Sequence, residues 1–236
     1  IPSSDSHLYV EEYKYITVEI EGEVNRPGIY RVTDTETLSS LISKAGGYTN
    51  NAYPYASSLF REAVKEMEEE NYKKTYSNLV SYILNTGNAS SQTTNQNTAL
   101  PLLLDEYRDI NPLGRIQTEF NLDKIALNKT LDITLRDKDK LLIKPKHNYV
   151  HIFGEVLSPG VISYISGSKT FDYIKRVGGL SNFANDASII VINPDGSSNK
   201  YESSFLISNN LDIFPGSVIY VPREIGKLDG INYASS

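Results

Sequence analysis

The sequence predicts an α+β protein made of two copies of one small strand-and-helix unit in tandem, the first enlarged by a helical hairpin. Three observations carry this. Gly22-Glu23-Val24-Asn25-Arg26-Pro27-Gly28 recurs as Gly154-Glu155-Val156-Leu157-Ser158-Pro159-Gly160, and Gly46-Gly47 recurs as Gly178-Gly179 at the same offset. Within each copy the apolar period switches from two to that of a helix. The closing strands align at a much smaller offset, Asp139 with Ser217, so the first copy is the longer one.

The first strand of each copy is read from alternation. Val18 and Ile20 alternate with Thr17, Glu19 and Glu21, and Val150 and Ile152 alternate with His151 and Phe153. Gly22 and Gly154 follow at the bend. Pro27-Gly28 and Pro159-Gly160 are turn pairs, since proline presets φ and glycine tolerates positive φ. Ile29–Val32 and Val161–Ile165 then return as the second arm of a hairpin. A two-turn helix comes next. Leu38, Leu41, Ile42 and Ala45 form its apolar stripe, matched by Thr170, Tyr173, Ile174 and Val177. Thr37 or Ser168 caps its start, and Gly46 or Gly178 its end. A third strand falls at residues 57–60 and 189–192. In the second copy Asn193-Pro194-Asp195-Gly196 turns the chain toward a strand near Tyr201. Each copy closes on a polar turn and an apolar strand: Asp137-Lys138-Asp139 before Leu141-Leu142-Ile143, and Pro215-Gly216-Ser217 before Val218–Val221. Hairpin, helix and further strands make a β-grasp arrangement.

The extra residues of the first copy lie at about 62–115, where the second has its Pro-Asp-Gly turn. Tyr72, Tyr76, Leu79, Val80 and Ile83 share one helical face, predicting a helix over 63–84, about 33 Å long at about 1.5 Å per residue. Residues 85–98 are Asn, Gln, Ser, Thr and Gly with almost no apolar side chain, which predicts a mobile loop. A second helix starts near Pro101, covers 102–109 and stops before Pro112. The domain plan is therefore a tail at 1–14, a first domain at 15–146, a second at 147–224 and a tail at 225–236.

Composition narrows function. The chain has 236 residues, a net charge of −6 and no cysteine. The acidic balance argues against a nucleic-acid or anionic-membrane binder. No apolar run approaches the length of a bilayer span, roughly 20 residues. No secretory leader is visible at Ile1, as in a mature protein or an excised fragment. The triplets Asn88-Ala89-Ser90 and Asn128-Lys129-Thr130 fit the glycosylation pattern, but such triplets arise often by chance.

An apolar strand, Gly-Glu-Val, three residues ending in Pro-Gly, a short helix closing on Gly-Gly and a later closing strand resemble the soluble-ligand-binding β-grasp (SLBB) domain. Two such units, the first with a helical insertion, resemble the periplasmic part of the outer-membrane polysaccharide export family. The resemblance covers residues 15–61, 114–146 and 149–224. It implies a noncatalytic module in the periplasm, associated with the outer membrane. It also implies homo-oligomerisation in the full-length protein, an inner-membrane export partner, and a conduit for capsular or extracellular polysaccharide. The family's N-terminal export-signature domain and membrane-spanning segment are outside this chain, which therefore reads as a fragment or a soluble periplasmic relative. The alternative is a soluble saccharide-binding module that does not assemble.

Signals of catalysis are weak. His7, His147 and His151 suit surface or packing roles, and no His-x-x-x-His or Gly-x-Ser-x-Gly is present. Asp137-Lys138-Asp139 has a metal-binding look, but its repeat partner Pro215-Gly216-Ser217 does not, which favours a polar turn. The Glu66–Glu70 run reads as a solvated helix face. No cofactor, metal or nucleic acid is expected. The candidate glycan or subunit contact is Tyr48, Asn50, Asn51, Tyr53 and Tyr55. Tyrosine offers an apolar face with a hydroxyl and asparagine an adaptable amide. Protein–protein contact suits these residue types equally, and half-buried structural positions are the favoured reading of the tyrosines. The second copy has Leu180, Phe183 and Ala187 in this region, so the cluster belongs to the first alone.

Overall fold

The structure, a computed structural model, describes residues 14–87, 110–201, 203–204, 207–208 and 211–224. The chain divides into two compact units, one of Ile1–Tyr48 with Ser58–Leu142, the other of Thr49–Ser57 with Ile143–Ser236.

In the first unit the hairpin is β1 (Tyr15–Gly22) and β2 (Gly28–Thr33), followed by α1 (Leu38–Lys44), β3 (Ser58–Phe60), α2 (Glu62–Gly87), β4 (Arg115–Ile116), α3 (Leu122–Leu127) and β5 (Lys140–Ile143). The sheet order is β2-β1-β5-β3-β4. Ile16, Val18 and Ile20 of β1 point inward, against Leu38, Leu41 and Ile42 of α1, all buried. Each such side chain contributes about 1.5–3 kcal/mol by leaving water. Thr37 caps α1 as expected, its Oγ1 accepting from Ser40 N at 3.4 Å.

The second unit repeats this plan with β6 (Tyr149–Gly154), β7 (Gly160–Ser163), α4 (Thr170–Arg176), β8 (Ile190–Ile192) and β9 (Ser198–Lys200). A small ribbon follows, β10 (Ser203–Ser204) with β11 (Ile207–Ser208), and then β12 (Val218–Val221). Its sheet order is β7-β6-β12-β8-β9, with β12 parallel to β6 and antiparallel to β8. Gly154 ends β6 with φ 90°, and a Cβ there would stand 2.1 Å from the Val221 carbonyl oxygen. Only glycine fits where β6 bends past β12.

Register shows how deep the repeat runs. Val18 faces Tyr30 as Val150 faces Ile162, and Leu59 faces Leu141 as Val191 faces Ile219. Val24 bridges Tyr48 as Val156 bridges Leu180, and Thr37 bridges Thr134 as Lys169 bridges Asp212. Val18 and Val150 are both buried, as the alternation predicts.

Five differences from the sequence reading have physical causes. The N-cap of α4 is Lys169 and not Ser168; Asp172 reaches back to accept from Lys169 N at 2.9 Å. The second hairpin arm of the second unit ends at Ser163, short of Ile165. Helix α2 continues to Gly87, so Asn85, Thr86 and Gly87 extend the helix instead of opening the polar loop. The rest of that loop, and the second insertion helix at 102–109, lie outside the described residues. Helix α3 went unforeseen because it is a single short turn-and-a-half, started by the Asn121 side chain accepting from Asp123 N and Lys124 N. Finally, Thr49–Ser57 packs in the second compact unit, because Tyr53 N bonds to Lys144 O and Lys146 N to Asn51 O.

Candidate functional site

The five candidate residues fall in the loop between α1 and β3, and the structure separates them. Tyr48 is turned into the first unit, where its hydroxyl donates to Phe120 O at 2.6 Å. Burial first, and the nearby Glu119 carboxylate second, push its phenol well above the ordinary tyrosine value. Asn50 and Asn51 are exposed in a turn closed by Ala52 N bonding to Thr49 O. Tyr53 leads into a 3-10 turn, Pro54–Ala56, where proline sets φ at the first position. The rings of Tyr53 and Tyr55 meet edge-on at 5.9 Å, and Tyr55 lies 4.8 Å from Phe214. The Tyr55 phenol stands against Asp195 and Ser197; burial, then the Asp195 charge, pushes it up to about 12. Tyr53 is raised too, chiefly by burial. The shifts favour the neutral phenols, and among the three the Tyr48 hydroxyl donates to a backbone carbonyl. The Tyr53-Pro54-Tyr55 segment is half-buried within the second unit, which leaves the two asparagine amides as the exposed part of the cluster.

The turn Asp137-Lys138-Asp139 is a second place where charge is organised. Asp139 is fully buried and takes a two-point contact from Arg61, Nε to Oδ1 at 2.9 Å and Nη2 to Oδ2 at 2.7 Å. Its Oδ2 also accepts from Arg136 N at 2.8 Å. Ser217, the repeat counterpart, does the same for Phe214 N at 3.1 Å. Asp137 accepts from Thr17 N at 2.8 Å. Both carboxylates thus serve the turn and its buried arginine. Lys138 between them has φ 65°, where the counterpart Gly216 has φ 85°. Its N–H bonds to Thr17 O just as Gly216 N bonds to Tyr149 O.

Beside this turn the first unit has a cleft of about 400 Å³, whose lining includes the apolar Phe60, Pro112 and Leu113 and the basic Lys65, Lys138 and Lys140. Glu19, Arg61, Glu62 and Asn111 complete it. Lys140 bridges Glu21 at 2.8 Å and Glu19 at 3.4 Å, and Lys65 stands 3.6 Å from Glu62. Next to Leu113, Gly114 is held by its N–H donating to Glu68 at 3.0 Å and its carbonyl accepting from Arg61 N at 2.9 Å. A Cβ at Gly114 would stand 2.4 Å from the Arg61 carbonyl oxygen. Sequence reasoning missed this cleft because its lining comes from four segments far apart in the chain. The one available signal was a lysine aligned with a glycine in the repeat.

The outer sheet face differs between copies. In the first it carries Thr17, Glu19, Glu21, Arg31 and Lys140 together with the exposed Tyr15 and Ile29. In the second it carries Tyr149, His151 and Phe153 along β6, with Val161, Tyr220 and Ile192 on neighbouring strands. His147 stacks on Tyr149 at 4.8 Å, Tyr149 meets His151 edge-on at 5.1 Å, and Phe153 lies 4.9 Å from Tyr220. Both described histidines thus have aromatic packing partners. His7 lies outside the described residues. Among the described residues no group of three His, Asp or Glu side chains is placed to hold a metal ion, and no helix is long and apolar enough to cross a membrane.

Comparison with known proteins agrees with this geometry. The SLBB domain family matches residues 17–70 and 149–201, each stretch beginning at the hairpin of one unit. Over 90 residues, 38% of the chain, the sequence is 37% identical to the polysialic acid transport protein KpsD of Escherichia coli. A second E. coli protein of the same name matches to the same extent. The chain spans about 15% of the length of these relatives.

Proposed function

We propose, from the match of the SLBB domain family to residues 17–70 and 149–201, that this chain is a noncatalytic module of a protein that exports a capsular or extracellular polysaccharide. The observation that carries the reading is the tandem itself, two SLBB units in a chain 37% identical over 90 residues to a polysialic acid transport protein. The module works in the periplasm, against the outer membrane. Its units make contacts with neighbouring subunits or with an inner-membrane export partner, and together these frame the path of the glycan.

The chemistry on the surface supports such a role. The outer face of the second sheet is apolar and aromatic, with Phe153 and Val161 45% and 55% exposed. Such a face is better suited to a protein neighbour than to water. The exposed amides of Asn50 and Asn51 suit hydrogen bonding to a subunit or a sugar. The second reading, a saccharide-binding module that does not assemble, is favoured by one observation, the charged and apolar cleft of the first unit.

Light scattering at rising concentration separates the two. Assembly predicts a mass that grows with concentration and a shift back toward monomer for Phe153→Glu. A constant monomer mass at millimolar concentration favours the second reading.

A further inference from the structure

Lys138 occupies a backbone conformation that the repeat gives to glycine. At the equivalent turn of the second unit Gly216 has φ 85°; here a lysine is held at φ 65°. Side chains other than glycine, asparagine and aspartate rarely adopt this conformation, and it persists where something else requires the side chain. Turn geometry does not require it, because Gly216 makes the same backbone hydrogen bond. What differs is the setting. Lys138 lines the cleft of about 400 Å³, whose lining also draws Glu62, Lys65, Asn111, Pro112 and Leu113 from the insertion that the second unit lacks. Among the described residues its ammonium makes no ion pair, whereas Lys65 and Lys140 have carboxylate neighbours.

We infer that this cleft binds an acidic sugar residue. Lys138 holds the ligand carboxylate, with Lys65 and Lys140 adding positive potential. Phe60, Pro112 and Leu113 supply an apolar wall for one ring face. Glu19, Glu62 and Asn111 stand where hydroxyl groups need acceptors. A simple anion would have no use for the apolar wall, and a neutral sugar none for a strained lysine. The volume is that of a small-ligand pocket at the low end of the usual range. The exposed pairs of Lys140 and Lys65 are weak enough to exchange a protein carboxylate for a ligand one. This inference rests on the export reading in one respect, that a polysaccharide reaches this surface.

The test is a titration of the whole chain with a hexuronic acid trisaccharide, its neutral hexose counterpart and sodium acetate, followed by amide NMR. The uronic acid is expected to shift the amides of Lys65, Asn111, Leu113, Gly114 and 138–140 saturably, with acetate and the neutral sugar at least tenfold weaker. Lys138→Gly is the decisive variant because glycine suits the backbone. It is expected to melt no lower than the parent and to bind at least tenfold more weakly. Equal binding by Lys138→Gly, equal shifts with acetate or the neutral sugar, or no saturable shift overturns the site. Such a failure leaves the export reading standing if loss of the chain still keeps polymer from the cell surface, so the two fail separately.

Discussion

At the scale of single residues, two charged side chains of one turn have opposite effects on stability. Lys138 sits in left-handed backbone, which costs a non-glycine residue about 1–2 kcal/mol. Lys138→Gly recovers most of that and adds back chain entropy, so thermal denaturation is expected to show a gain of about 1 kcal/mol, or about 2–4 °C. Asp139 is the reverse case. Its carboxylate is fully buried and its partner Arg61 is only 11% exposed at the side chain. Arg61→Ala leaves that charge without its cation and is expected to cost about 3 kcal/mol by denaturant titration. The nearby Glu21–Lys140 pair tests the electrostatics without touching the core. Lys140, hydrogen bonded to Glu21, holds that carboxyl below its usual 4.5. Because the folded value is the depressed one, the contribution of this pair is present above the unfolded value and is lost as pH falls through the folded one. Carboxyl NMR titration is expected to give Glu21 a midpoint below 4.5, and Lys140→Ala to bring it back up.

At the scale of elements, the loop between α1 and β3 shows how packing redirects a sequence signal. Tyr53 and Tyr55 suit either a contact or a half-buried structural position, and Tyr55 packs at 4.8 Å on Phe214 and lies against Asp195 and Ser197. Tyr55→Ala therefore removes half-buried aromatic packing and is expected to destabilise the second unit by about 2 kcal/mol, seen as a lowered unfolding transition. Tyr55→Phe keeps the ring and is expected to cost less than half of that. Strands and helices were legible where the apolar period was long. β1, β6, α1 and α4 lie where Val18, Val150, Leu38–Ala45 and Thr170–Val177 put them. The shortest elements, such as β4, α3 and the β10–β11 ribbon, were not, because their existence depends on a cap or a neighbouring strand and leaves no period to read. Helix α2 was legible from its Tyr72, Tyr76 and Val80 face, but its end was not: polar composition marks weak burial and does not by itself stop a helix.

At the scale of the whole molecule, the repeat made the architecture readable. One offset before the insertion and a smaller one after it bring Leu59 with Leu141 and Val191 with Ile219 into the same register of two separate sheets. A site built from Phe60, Lys65, Leu113 and Lys138 has no such signature, since no short motif spans it and its chemistry appears only when the insertion folds back on the turn. The outer sheet face carries more charge in the first copy and more aromatic side chains in the second, so the two units present different chemistry to their surroundings. The central claim, that this chain serves polysaccharide export, is tested most directly by deleting the coding sequence for residues 1–236 in the organism that makes the protein. Surface polymer on intact cells is then compared with total polymer in lysates. Total polymer is expected to persist while surface polymer falls at least tenfold; surface polymer at the parental level would contradict the account.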